Sequence, residues 1–142
     1  MSGNLEEVLD TAVVVLDGVK HLVAATTSPI LQLRGLDKGH AILLEGHNAA
    51  VLSVSTWSGD GSTLVSGSRD QSVRLWQRAN GVYTCVAVGT GHTEAVTGVR
   101  FGTGEDLVIY SCSEDRTVKC WRLEDEKLSC IWTKVNLDNT KK

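Results

Sequence analysis

One period dominates this chain. Residues Gly46 to Trp76 (GHNAAVLSVSTWSGDGSTLVSGSRDQSVRLW) align with Gly91 to Trp121 (GHTEAVTGVRFGTGEDLVIYSCSEDRTVKCW) at a constant offset of 45 residues, without a gap. Eleven of the thirty-one positions are identical. Among them are Gly46/Gly91, His47/His92, Val51/Val96, Val54/Val99, Ser66/Ser111, Ser68/Ser113, Asp70/Asp115, Val73/Val118 and Trp76/Trp121. Such a period restricts the chain to architectures that stack one supersecondary unit, since a single unit cannot bury its own apolar face.

Within the unit the pattern is one of short strands separated by turn chemistry. Val51 to Thr56 alternates and meets the Gly/Asp turn SGDGS. Leu64 to Ser68 is a second strand, broken at Arg69–Asp70, and Ser72 to Gln77 a third, closed by the hairpin signal Asn80–Gly81. Tyr83 to Val88 is the fourth. Helical periodicity is absent, and β-branched residues dominate the apolar positions. Four short antiparallel strands in about 45 residues make one propeller blade.

The N-terminal segment reads as a degenerate copy of the unit. A 42-residue slide places HLVAATTSPILQL under TLVSGSRDQSVRL, with Ser28 in place of the turn Asp and Arg34 in place of the Trp. Leu9 to Leu16 becomes its innermost strand and Ala41 to Leu44 its outermost. Gly39–His40 sits thirty-six residues before Trp76 and reads as a hairpin turn, not a repeat mark. The expected organisation is all-β, with blades at 1–45, 46–90 and 91–136 and a tail at 137–142 that ends in Lys141 and Lys142.

A Gly-His dipeptide, an Asp in a tight turn and a Trp twenty-nine residues after the His resemble the WD-repeat family. Gln77 and Arg122 stand where that family's dipeptide ends in Asp. The resemblance implies a partial WD-repeat β-propeller of about three four-stranded antiparallel blades. It also implies that His47, Ser66, Asp70 and Trp76, and likewise His92, Ser111, Asp115 and Trp121, form buried hydrogen-bonded tetrads. Buried polar groups need partners, which fits this reading. The same residue types suggest a Ser-His-Asp nucleophilic triad, but two equivalent active sites 45 residues apart are a poor expectation for an enzyme. The second serine of each SxSxD run, Ser68 or Ser113, leaves the serine assignment open.

Further stretches narrow the resemblance. KHLVAATTSPIL, ILLEGHNAAVLSV, DQSVRLW and CVAVGTGHTEAVTGV together resemble the transducin beta-like family of WD-repeat subunits of the small-subunit processome. That resemblance implies a non-catalytic nucleolar scaffold in maturation of small-subunit ribosomal RNA. Its partners would be other protein subunits of a ribonucleoprotein assembly, with RNA association indirect, and no cofactor, membrane or small-molecule substrate is expected. The alternative is a substrate-recruiting adaptor in a ubiquitin-ligase or signalling complex, which would place it in the cytoplasm. A closed ring takes about four to eight blades, so three suggest a segment of a longer chain whose end blades expose apolar faces.

Composition bears on these alternatives. Fourteen Lys and Arg against seventeen Asp and Glu give a net charge of −3, without the basic stripe a nucleic-acid surface needs. The start, MSGNLEEVLD, is polar and acidic and reads as no secretory signal, and the apolar run Ala12 to Leu16 is too short to span a bilayer. A soluble intracellular protein is therefore expected. Cys85, Cys112, Cys120 and Cys130 form no CxxC pair and read as buried thiols. His21 reads as an exposed turn residue. Trp57 and Trp132 read as blade-interface core, with an exposed partner anchor as the other reading. Arg69, Arg74, Arg78, Arg116 and Arg122 recur around the third strand. Of these, the family resemblance makes Arg69 and Arg116 candidate partner contacts, with solvated turn residues as the bland alternative.

Overall fold

Short β-branched runs closed by turn residues give twelve strands, and no helix, among the residues described by the computed structural model, 6–36, 41–57 and 61–135. β1 (Val8–Leu16), β2 (Val19–Thr26), β3 (Leu31–Gly35) and β4 (Ala41–Leu44) form one sheet. β5 (Val51–Thr56), β6 (Thr63–Ser68), β7 (Val73–Ala79) and β8 (Val82–Gly89) form the second. β9 (Val96–Phe101), β10 (Val108–Ser113), β11 (Thr117–Glu124) and β12 (Lys127–Val135) form the third. Each sheet is antiparallel with its strands in chain order, as the three expected blades require. Gly39–His40 and the 137–142 tail lie outside the described residues.

Turn chemistry fixes the registers. Asp17–Gly18 (φ 52° and 81°), Asn80–Gly81 (54° and 80°) and Asp125–Glu126 (52° and 64°) each link two strands through a pair of left-handed residues. Positive φ at both central positions defines the type I′ turn, whose twist matches that of a hairpin. In every sheet the innermost pair also carries a bulge: at Val8/Asp10, at Val51/Ser53 and opposite Cys112/Ser113. An extra residue re-aims the side chain that follows it. That places Asp10, Ser53 and Gly98 at equivalent positions.

The sheets pack face to face around two cores. Val14, Leu16, Val23, Leu31 and Leu33 of the first sheet meet Val51, Val54, Leu64 and Trp76 of the second. On the other side Val65, Val73, Leu75 and Ala87 meet Val96, Val99, Ile109 and Trp121 of the third. The middle sheet is thus covered on both faces, and every residue of β6 is buried. Full burial of each Val, Leu or Ile contributes about 1.5–3 kcal/mol. The outer faces of the first and third sheets stay open, exposing Val13, Val15 and Leu43 at one end and Tyr110 and Trp132 at the other.

Three expectations need correction. His21 lies within β2, half-buried, and its Nδ1 is 2.9 Å from the Val19 carbonyl. The strand begins straight after the Asp17–Gly18 turn, which leaves no loop for the histidine. Of the cysteines only Cys120 is buried; Cys85 is half-buried, and Cys112 and Cys130 are exposed, Cys112 on the open outer face of the third sheet and Cys130 on its edge strand β12. Trp132 belongs to the same sheet and stacks on exposed Tyr110, with ring centroids 6.1 Å apart, instead of filling a core.

Close approach of the second and third sheets depends on Gly89, where a Cβ would lie 2.9 Å from Trp121 ring carbons. Gly89→Ala should therefore destabilise the protein by about 1–3 kcal/mol through overpacking. Denaturant titration measures this, and an unchanged midpoint would show that the Trp121 ring moves aside freely.

Candidate functional site

Backbone positions come first. His47 follows β4, Ser66 sits in β6, Asp70 in the β6–β7 turn and Trp76 in β7. Burial obliges their polar atoms to find partners within the protein. Trp76 Nε1 donates to Ser66 Oγ at 2.9 Å, and Ser66 Oγ lies 2.7 Å from His47 Nε2. His47 Nδ1 lies 2.9 Å from Asp70 Oδ2. A carboxylate only accepts, so Nδ1 carries the proton and Nε2 accepts from the serine hydroxyl. Asp70 also accepts from the Asn48 N–H at 2.9 Å, and its other oxygen takes the Ser72 hydroxyl at 2.6 Å.

The third sheet repeats this arrangement. Trp121 Nε1 donates to Ser111 Oγ at 2.8 Å, Ser111 Oγ lies 2.8 Å from His92 Nε2, and His92 Nδ1 lies 2.9 Å from Asp115 Oδ2. Thr93 N–H and the Thr117 hydroxyl complete the Asp115 carboxylate. Ser68 and Ser113 stand outside both networks. Ser68 donates to the Ala50 carbonyl at 2.8 Å and accepts the Asp70 N–H, and Ser113 bonds the Glu94 carbonyl and the Asp115 N–H in the same way. The first sheet keeps only the turn: Ser28 N–H donates to Thr26 Oγ1, and Ser28 Oγ accepts the Ile30 N–H.

The order Ser–His–Asp does not make a nucleophile here. Ser66 is 0% exposed and Ser111 2%, and each oxygen already accepts a tryptophan N–H. A substrate cannot reach either hydroxyl, so these residues serve to position strands. Electrostatics agrees. Burial lowers the His47 pKa despite the opposing pull of Asp70, which favours the neutral ring. Burial alone would raise Asp70, but hydrogen bonds from Ser72, Asn48 and His47 outweigh it and hold the carboxyl at about 2. Asp115 is held well below the usual carboxylate range by Thr117, His92 and Thr93, again against burial.

The other candidates lie apart from these networks. Arg69 and Arg116 are exposed in the equivalent β6–β7 and β10–β11 turns. They are not equivalent to each other, since Gln71 (φ 77°) corresponds to Arg116 (φ 71°). Trp57 is half-buried against Phe101 across the second and third sheets, at 6.3 Å between ring centroids. Arg78 bonds Asp17 across the first two sheets at 3.2 Å, and Arg74 points at the Cys85 sulfur at 3.5 Å. Sequence reasoning missed Ser72 and Thr117, though an Asp-x-Ser/Thr repeated at the 45-residue offset marks them. It also missed Asp10, which accepts from Ser53 and Val54. Its counterparts are Ser53 and Gly98, so no repetition reveals it. Among the described residues no His, Cys, Asp and Glu cluster suits a metal.

The family of WD domains, G-beta repeat, matches residues 39–77 and 83–122, more than half of the chain. The chain belongs to the WD-repeat family. Each WD match takes in the outermost strand of one blade and ends on the third strand of the next, so sequence repeat and blade are out of phase by one strand. Over 90 residues, 63% of the chain, it is 33% identical to transducin beta-like protein 3 of Bos taurus, covering 11% of that relative. Over 43 residues, 30% of the chain, it is 51% identical to Protein HIRA of Oryza sativa subsp. japonica, covering 4% of that relative. The structure of U3-55K matches 97% of this chain with a TM-score of 0.74 and 26% identity, over 42% of its own length. This WD-repeat chain thus spans a small part of the curated relatives and under half of that structure.

Two outcomes follow from the networks. Ser66→Ala strips His47 Nε2 and the Trp76 N–H of their shared partner and should cost about 1–3 kcal/mol, measured by denaturant titration. An effect as small as that of an exposed serine would mean the network is not holding the blade. Acid should also weaken it. Neutral His47 contributes stability that is complete above pH 6.5 and is lost as pH falls through its lowered folded value. Ionised Asp70 contributes stability present above 3.8 and lost as pH falls toward about 2. The melting temperature should hold from pH 8 to about 6.5 and decline below it. A rise between pH 6.5 and 5 would contradict a neutral His47.

Proposed function

We propose that this chain is a non-catalytic WD-repeat scaffold acting in small-subunit pre-ribosomal RNA processing, as part of the small-subunit processome in the nucleolus. The observation that carries this reading is the 90-residue match to transducin beta-like protein 3, which runs across 63% of the chain, not through a single repeat. The likeness to U3-55K over 97% of the chain supports it. We assign residues 1–45, 46–90 and 91–136 as its successive blades, with 137–142 as a tail.

Physical features favour protein partners over direct RNA contact. Net charge is −3, whereas phosphate binding draws its affinity from a surplus of Lys and Arg. Exposed apolar side chains on the open faces suit protein contact. Arg69 and Arg116 project from turns on one edge of the sheets, and Trp57 adds a half-buried aromatic surface at the other ends of the same strands. These three residues are the proposed partner contacts.

Affinity purification of the tagged chain with identification of co-purifying protein and RNA tests the proposal. Small-subunit processome proteins and a small nucleolar RNA are expected, with the RNA lost first as salt is raised. Recovery of only ubiquitin-ligase or signalling subunits would sink it. Arg69→Glu with Arg116→Glu should reduce partner recovery several-fold while leaving the melting temperature within about 1–2 °C, because exposed substitutions seldom alter stability.

A further inference from the structure

A hydroxyl becomes a target for phosphoryl transfer when it is reachable and when the charges beside it can be read by the transferring enzyme. In the whole sequence two hydroxyl residues have a carboxylate three positions on, Thr103 with Asp106 and Ser111 with Glu114. Ser111 is 2% exposed and is sealed between His92 and Trp121. Thr103 is exposed, and so are Glu105 and Asp106 after it.

The chain around Thr103 is free on one side only. β9 ends at Phe101 and β10 begins at Val108, and the Gly102 N–H donates to the Val108 carbonyl at 2.8 Å to close the base of the turn. Beyond that bond, none of the described residues hydrogen-bonds or ion-pairs with Thr103, Gly104, Glu105 or Asp106. The tip can therefore extend into another protein's groove without breaking a strand ladder. Upstream differs. Arg100, three residues before Thr103, pairs with Tyr110 in the β9–β10 ladder. Its exposed guanidinium donates to the Val99 carbonyl at 2.7 Å and lies 3.4 Å from Ser53 Oγ. That serine belongs to a clasp between the innermost strands. Asp10 Oδ2 accepts the Val54 N–H at 3.0 Å, and Ser53 Oγ accepts the Val99 N–H at 3.1 Å. Of the charges flanking Thr103, the two carboxylates are thus free to be read, and the guanidinium is committed to the blade.

We propose that Thr103 is a phosphoacceptor for an acidophilic serine/threonine kinase, one whose basic substrate groove binds Glu105 and Asp106. Thr103 Oγ1 attacks the γ-phosphorus of a magnesium-bound nucleoside triphosphate. The bond to the bridging oxygen breaks, its electron pair leaves with the nucleoside diphosphate, and the hydroxyl proton passes to the kinase's catalytic aspartate. The product carries about −1.5 to −2 charge at this position at neutral pH. Thr103 lines one groove with Trp57 and Phe101 at the junction of the second and third blades. The new charge therefore falls beside a proposed partner contact, and only that consequence rests on the functional reading above.

Incubation of the full chain with γ-labelled magnesium ATP and an acidophilic kinase, with a basophilic kinase in parallel, tests this. One phosphoryl group per chain is expected from the acidophilic kinase, located on Thr103 by fragmentation mass spectrometry. Thr103→Ala should abolish it. Glu105→Gln with Asp106→Asn should slow it by about tenfold or more, since each charge-assisted hydrogen bond lost is worth roughly that factor. All three positions are exposed, so the melting temperature should stay within about 1–2 °C, which separates loss of the acceptor from loss of the fold. No incorporation, incorporation at another residue, or an undiminished rate for the doubly neutral variant would overturn the inference. So would an equal or faster reaction with the basophilic kinase, since Arg100 would then be the charge that is read. None of these outcomes depends on which assembly the scaffold serves.

Discussion

The oxygens of Ser66 and Ser111 hold the geometry of two blades. Each accepts a tryptophan N–H and donates to a histidine whose other nitrogen is fixed by an aspartate. Those groups come from the segment before the innermost strand, from the second strand, from the turn after it and from the third strand. One buried atom thus ties three neighbouring segments into register. It also pins the indole, and the indole is the largest side chain at each junction between sheets. In a low-dielectric interior such a chain of hydrogen bonds strengthens itself, while a missing member leaves the others unpaired.

The first blade shows what happens when the whole set is absent. Ala24 and Arg34 stand in place of the serine and tryptophan, and no Gly-His precedes β1. Among the described residues of this sheet no buried side-chain donor or acceptor lacks a partner, because donors and acceptors disappear together, a change that costs far less than losing one partner. The Thr26–Ser28–Ile30 turn retains its local bonds, and Val14, Val23, Leu31 and Leu33 form an apolar core against the second sheet. Burial is then enough to hold the sheet where the polar network is not.

Recurrence governed how much of this could be read in the sequence. Gly46–His47, Asp70 and Trp76 were legible because Gly91–His92, Asp115 and Trp121 repeat them at one offset, and strand order followed from the turns between them. The Asp10–Ser53–Gly98 series occupies one structural position with three different residues, so the clasp between blades left no repeated letter. Asp125–Glu126 makes a hairpin turn without the glycine that flags the other two. Cys112 was misjudged for another reason. It occupies the position of buried Gly67, and whether such a position is covered depends on the next blade along, not on the strand that carries it.

That dependence on the next blade bears on function as well. In this chain the histidines and aspartates most suggestive of chemistry face inward and are fully engaged in holding strands together. What remains outside is shape: exposed turns carrying Arg69 and Arg116, and sheet faces whose apolar side chains await cover. A molecule built so can recognise surfaces but has no reachable nucleophile among its networks. Its specificity must then reside in which residues the turns display and in how the open faces are closed. Repeats with nearly identical interiors can therefore serve very different assemblies, because the interior fixes the blade and leaves the turns free to vary.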